Sequence, residues 1–295
     1  MPSEAFETIV AMMGQEDTLL LPIAERRATV EQGLGMMPVS PDVSVEEIDA
    51  GGVPCEWVST PGAREDRTIL YLHGGAYTIC SPRTHRLLTS SLSRETGVRV
   101  LAADYRLAPE NPFPAAVTDA VSVYRWLIEG GASPEHIVIA GDSAGGGLTM
   151  ATLVALRDRD IPLPAAAVTI SPWADLEMTG ESMSTKADVD PMINRERLKD
   201  SADAYLNGVD ARDPLASPIY ADLRGLPPLF IHVGGRETLL DDSIRLEERA
   251  RAAGVDVTLE IEDEMIHVWH VFAGLAPESD DGVRRVASFL KPFLS

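Results

Sequence analysis

Four groups of residues in this chain have the types and the order that acyl transfer requires. Gly141-Asp142-Ser143-Ala144-Gly145 sets a serine among small residues, in the G-x-S-x-G pattern that turns a strand sharply into a helix and lifts the hydroxyl clear. A serine hydroxyl is a weak nucleophile and needs an imidazole to take its proton. Of the six histidines, His73 belongs to a glycine loop and braces it, His85 and His136 lie in polar, helix- or loop-like stretches, and His232 sits inside an apolar strand as a core residue. His267 falls in the loop after the last strand, where a side chain can reach over a sheet edge, whereas His270 lies one turn into the next helical stretch. His267 is therefore the expected base. An acid must hold its tautomer and stabilise its protonated form. Glu237 occupies the loop at the carboxyl end of the apolar run Leu229 to Val233, while Asp241 and Asp242 open the next helix, where acids favour the dipole without a catalytic role. The oxyanion needs N–H donors, expected from Gly74 and Gly75 behind His73 and from Ala144 at the start of the helix after Ser143.

These residues require a scaffold that brings distant segments to one edge. Short apolar, β-branched runs supply it: Thr68 to Leu72, Val98 to Ala103, Ile137 to Ala140, Ala165 to Ile170, Leu229 to Val233 and Val255 to Ile261, with helical stretches between them. Two further runs, Val43 to Ile48 and Val53 to Ser59, flank Ala50-Gly51-Gly52 and read as a hairpin. Strands alternating with helices predict an α/β fold with an eight-stranded, mostly parallel sheet covered on both faces. Residues 1–42 carry two amphipathic helical patterns, Glu4 to Met13 and Ala24 to Met37, ahead of a domain over residues 43–295. Between Ser171 and Leu226 the alternation lapses, leaving one clear helix, Arg195 to Leu206, and an excursion expected to fold over the carboxyl edge of the sheet.

Composition excludes several other trades. With 25 basic against 46 acidic residues and a net charge of −21, the chain is poorly suited to nucleic acid or anionic lipid. It has no apolar run of membrane-spanning length, and its N-terminal stretch lacks a basic segment leading into an apolar core, so it reads as cytoplasmic, with no membrane partner. The two cysteines, Cys55 and Cys80, form no metal-binding spacing and read as buried free thiols. No metal and no cofactor are called for.

Taken together, HGGAY (73–77), DYRLAPENPFPAA (104–116), GDSAGG (141–146), SPWADL (171–176) and the IHVW stretch (266–269) resemble the bacterial hormone-sensitive-lipase family of α/β-hydrolase esterases. The order Ser143, Glu237, His267 is that of the superfamily. The resemblance implies a helical cap built from the N-terminal helices and part of residues 180–215, and hydrolysis of short- to medium-chain acyl esters. Two positions depart from the family pattern: Ala76 replaces the third glycine of HGGG, and Glu237 stands where an aspartate is common. An amidase or formamide hydrolase would use the same residues, and a non-catalytic small-molecule receptor could share the fold. The resemblance and an uncovered final strand also imply a homodimer through residues 255–261.

Overall fold

In a computed structural model describing residues 1–13 and 21–295, the strands form one sheet. Helices α1 (Glu4–Met13) and α2 (Ile23–Gly33) precede β1 (Ser44–Asp49), β2 (Pro54–Ser59) and β3 (Arg64–Leu72). Then come α3 (Arg86–Thr96), β4 (Val98–Ala103), α4 (Ala115–Glu129), β5 (Ile137–Asp142), α5 (Ala144–Arg157) and β6 (Ala166–Ile170). The excursion holds α6 (Ser182–Thr185) and α7 (Arg195–Leu206), and the chain closes with β7 (Leu229–Gly234), α8 (Leu240–Ala252), β8 (Val257–Glu262) and α9 (Pro277–Leu294). The eight strands run in the order β1-β2-β4-β3-β5-β6-β7-β8, antiparallel at the β1–β2 and β2–β4 pairs and parallel from β4 onward. Two apolar clusters fill the two faces. That is why β5, whose six residues are all buried, has no alternation of apolar and polar positions.

The structure adjusts several boundaries. β3 begins at Arg64 rather than Thr68, because its polar, exposed start still pairs Arg64 with Val98 across an irregularity in register. The second helix stops at Gly33 and gives way to a 3-10 turn over Leu34–Met36. Cys55 is buried, and burial pushes its thiol up to about 12, whereas Cys80 is only half-buried, against expectation. Among the described residues no helix is long and apolar enough to cross a membrane. β8 is one of the two edge strands, with Ile261 exposed.

The turn between β5 and α5 depends on close backbone approach. A Cβ at Gly145 would lie 2.0 Å from the carbonyl oxygen of Leu72 and 2.5 Å from that of His73. Gly145→Ala must therefore push α5 away from β3, at a cost of about 3 kcal/mol. Urea unfolding measures this, and an unchanged midpoint would show that the helix does not rest on β3 this closely.

Candidate active site

Ser143 stands between the last residue of β5 and the first of α5, at φ 52° and ψ −121°, a backbone conformation that costs a non-glycine residue about 1–3 kcal/mol. The surroundings hold it there. Its N–H donates to Ile170 O at 2.8 Å and its carbonyl accepts from Trp173 N at 2.8 Å, so both sides of the turn are tied to the carboxyl end of β6. The residue is 7% exposed.

His267 and Glu237 meet as expected. His267 Nδ1 lies 3.0 Å from Glu237 Oε1, and both side chains are buried. The other carboxylate oxygen, Oε2, accepts from Ser171 Oγ at 2.7 Å and from Gly234 N at 3.0 Å. Ser171 Oγ in turn accepts from Val268 N at 3.2 Å. One hydroxyl at the end of β6 therefore fastens the loop of the acid to the loop of the imidazole, next to the carbonyl that holds Ser143. Sequence reasoning does not single Ser171 out, although its place directly after a central strand, like that of Ser143, is a usable signal. Among the described residues no hydrogen bond joins Ser143 Oγ to the imidazole; bonds of this kind often close only when substrate binds.

The alternatives have other employment. His270 Nε2 faces His232 Nδ1 at 2.9 Å inside the core, and both rings are fully buried. Asp241 accepts from Ser182 N at 2.8 Å, and Asp242 from Ala174 N and Asp175 N at 2.8 and 2.9 Å. Burial, and then the charge of Asp175, hold the Asp242 carboxyl well above the usual carboxylate range.

Two expectations need correction. The Gly74 N–H donates to Asp142 Oδ1 at 3.0 Å, so it is spent inside the fold and is not a free oxyanion donor. Among the described residues the next two amides, Gly75 and Ala76, have no acceptor in the chain; both residues have positive φ, 110° and 51°. The Ala144 N–H is one of the unpaired donors at the start of α5. His85, read as lying in polar surroundings, is buried and faces Asp142 Oδ2 at 3.3 Å.

The glycine loop is also held from the other side by helical segments outside the sheet layers. Arg27 of α2 donates to Thr78 O at 2.6 Å and to Ala108 O at 2.6 Å. Thr78 Oγ1 pairs with Ser201 Oγ of α7 at 3.0 Å, and the Tyr77 ring stacks on Tyr205 at 3.8 Å between centroids. Arg26 and Asp200 join α2 to α7.

A mostly parallel sheet carrying a serine at a strained strand-to-helix turn and an acid–imidazole pair on later loops is the arrangement of an α/β-hydrolase. The model of the alpha/beta hydrolase fold matches residues 69–271, and the chain belongs to that family. It is 47% identical over 261 residues to an acetyl-hydrolase of Streptomyces hygroscopicus, covering 88% of this chain and 86% of that protein. To an esterase of Acinetobacter venetianus it is 34% identical over 264 residues, covering 89% and 87%. A solved esterase of the bacterial hormone-sensitive lipase family superposes with a TM-score of 0.96 at 49% identity over 100% of both chains. Within the α/β-hydrolases the chain thus falls among the bacterial hormone-sensitive-lipase esterases, which are carboxylic ester hydrolases.

Proposed function

We propose that the chain is a serine carboxylesterase acting on short- to medium-chain acyl esters, with Ser143 as nucleophile, His267 as general base and acid, and Glu237 as the orienting carboxylate. The observation that carries this reading is the 3.0 Å contact of His267 Nδ1 with Glu237 Oε1, locked through Ser171 to the strand end that holds Ser143. As Ser143 Oγ attacks the ester carbonyl, its proton passes to His267 Nε2. The carbonyl oxygen takes the developing charge and is received by the amides of Gly75, Ala76 and Ala144. The alcohol leaves with the proton from His267, and water, deprotonated by the same imidazole, releases the acid from the acyl-enzyme. α2, α7 and the excursion around them serve as the cap, and the acetyl-hydrolase relative supports a short acyl group. Hydrolysis of p-nitrophenyl esters from acetate to decanoate tests the reading: rates should peak at or below the medium chains, and a peak at the longest acyl group would overturn the chain-length assignment.

The pH dependence follows from the imidazole. Burial pulls the His267 pKa down, but the charge and hydrogen bond of Glu237 outweigh it, and Asp190 and Asp142 add to them, so the net shift is upward. The base works only when neutral. Activity is therefore lost as pH falls through the raised value, and the acidic limb of kcat/KM should be centred above the ordinary imidazole value of about 6.5. Rates on a non-ionising ester across the neutral range measure it; a limb centred below that value would count against His267 paired with Glu237.

A further inference from the structure

Asp142, next to Ser143 in sequence, is a 2% exposed carboxylate with no part in the mechanism above beyond adding to the upward shift of His267. Its Oδ1 accepts from Tyr71 Oη at 2.7 Å and from Gly74 N at 3.0 Å, and its Oδ2 lies 3.3 Å from His85 Nε2. The protons on His85 can be placed from its neighbours. Thr84 Oγ1 gives its one proton to Ser81 O at 2.8 Å and accepts from Ser81 N at 3.1 Å, so His85 Nδ1, 2.9 Å away, must donate to it. Nε2 faces an acceptor-only carboxylate and donates as well. His85 and Asp142 are thus a buried imidazolium–carboxylate pair, which needs no further counter-charge. Burial opposes the charge on both, yet the pairing raises the His85 pKa and lowers that of Asp142.

The carboxylate packs against the glycine loop so tightly that a Cβ on Gly74 would lie 2.2 Å from Asp142 Oδ2. Beyond Gly74, several other polar groups of the loop are engaged. His73 O accepts from Tyr105 Oη at 2.6 Å, Thr78 N and Ile79 N donate to Gly75 O at 3.0 Å each, and Thr78 O accepts from Arg27. Among the described residues the amides of Gly75 and Ala76, and that of Tyr77 after them, have no acceptor in the chain. We propose that Asp142 is the positioning residue of the oxyanion loop: by fixing the Gly74 peptide it aims the next two amides at the carbonyl that Ser143 attacks, holding nucleophile and donors in one register. This rests on the proposed Ser143 chemistry and extends it to a residue that does not itself touch substrate.

The test compares Asp142→Ala with Asp142→Asn. An asparagine can keep its oxygen toward Tyr71 and Gly74 while its amide donates to a neutral His85 Nε2, so it should stay within about tenfold of wild type. Alanine releases the Gly74 peptide, and displacement on the scale of an ångström should lower kcat roughly a hundredfold with KM within about threefold. The readout specific to the oxyanion is a trifluoromethyl ketone, which bonds reversibly to Ser143 Oγ, passes the serine proton to His267 and places a negative oxygen on the loop amides. Its affinity should fall in parallel with kcat, while that of the corresponding secondary alcohol should not. An Asp142→Ala enzyme that keeps its kcat, or loses kcat with ketone affinity intact, overturns the proposal. If that variant does not fold, Tyr71→Phe decides: a severalfold, parallel fall in kcat and ketone affinity supports it, and no fall in either overturns it. Organophosphate labelling of the wild type separates the two levels, since failure to label Ser143 would remove the underlying chemistry rather than the role of Asp142 alone.

Discussion

Ser143→Ala is expected to lower ester turnover roughly a millionfold, to the residue of catalysis that binding and oxyanion donors supply without a nucleophile. The same substitution should leave the fold within about 0.5 kcal/mol of wild type. The two expectations come from different parts of the residue. The bonds that hold the turn use its main chain, the N–H on Ile170 O and the carbonyl under Trp173 N, and alanine keeps both. Alanine also carries a Cβ, so it is no more strained at φ 52° than serine. The hydroxyl is thus dispensable to the fold and indispensable to the reaction. Hydrolysis of p-nitrophenyl acetate, followed beside thermal unfolding of both proteins, checks it. Activity in the alanine variant within a hundredfold of wild type would show that another group attacks the ester.

The positions that the sequence alone could not resolve share a physical cause. Ser143, Glu237 and His267 were legible because each follows a run of strand-forming residues, and strand ends in a parallel sheet face one edge. What no local pattern can show is how a peptide group is turned by a partner far along the chain. Gly74 and Gly75 look equivalent in HGGAY, yet the Asp142 carboxylate takes the first amide and leaves the second free. His85 looks like a surface residue of a polar segment because the acid that draws it inward lies 57 positions later. Ser171 stands out in sequence as the start of an excursion and within a family-like stretch, but its bridging of Glu237 to Val268 spans two long-range contacts. The start of β3 was missed for the opposite reason. Arg64, Glu65 and Asp66 are polar and exposed, and the backbone pairing of Arg64 with Val98, not burial, extends the strand to them.

Glu237→Gln should lower kcat by roughly 10³- to 10⁴-fold, although it changes one atom type in a buried side chain. The neighbours dictate the reason. Oε2 accepts from Gly234 N at 3.0 Å and from Ser171 Oγ at 2.7 Å, and the Gly234 N–H, being main chain, cannot be turned into an acceptor. Glutamine must therefore keep its carbonyl oxygen on that side and present its NH₂ to His267 Nδ1. An NH₂ facing Nδ1 forces that nitrogen to accept, which places the ring proton on Nε2, the nitrogen that has to take the proton of Ser143. The enzyme is then held in the wrong tautomer with its geometry nearly unchanged, so kcat falls while KM stays close to wild type. The removed carboxylate charge also opposed deprotonation of His267, so the acidic limb of the residual activity should move to lower pH. Asp241→Asn and Asp242→Asn lack this effect. Their acceptor oxygens serve the amides of Ser182 and of Ala174 and Asp175, and an asparagine oxygen can serve them too. Kinetics of the three variants on one ester, each with a pH profile, put the assignment at risk: a larger loss in either aspartate variant than in Glu237→Gln would move the orienting acid to α8.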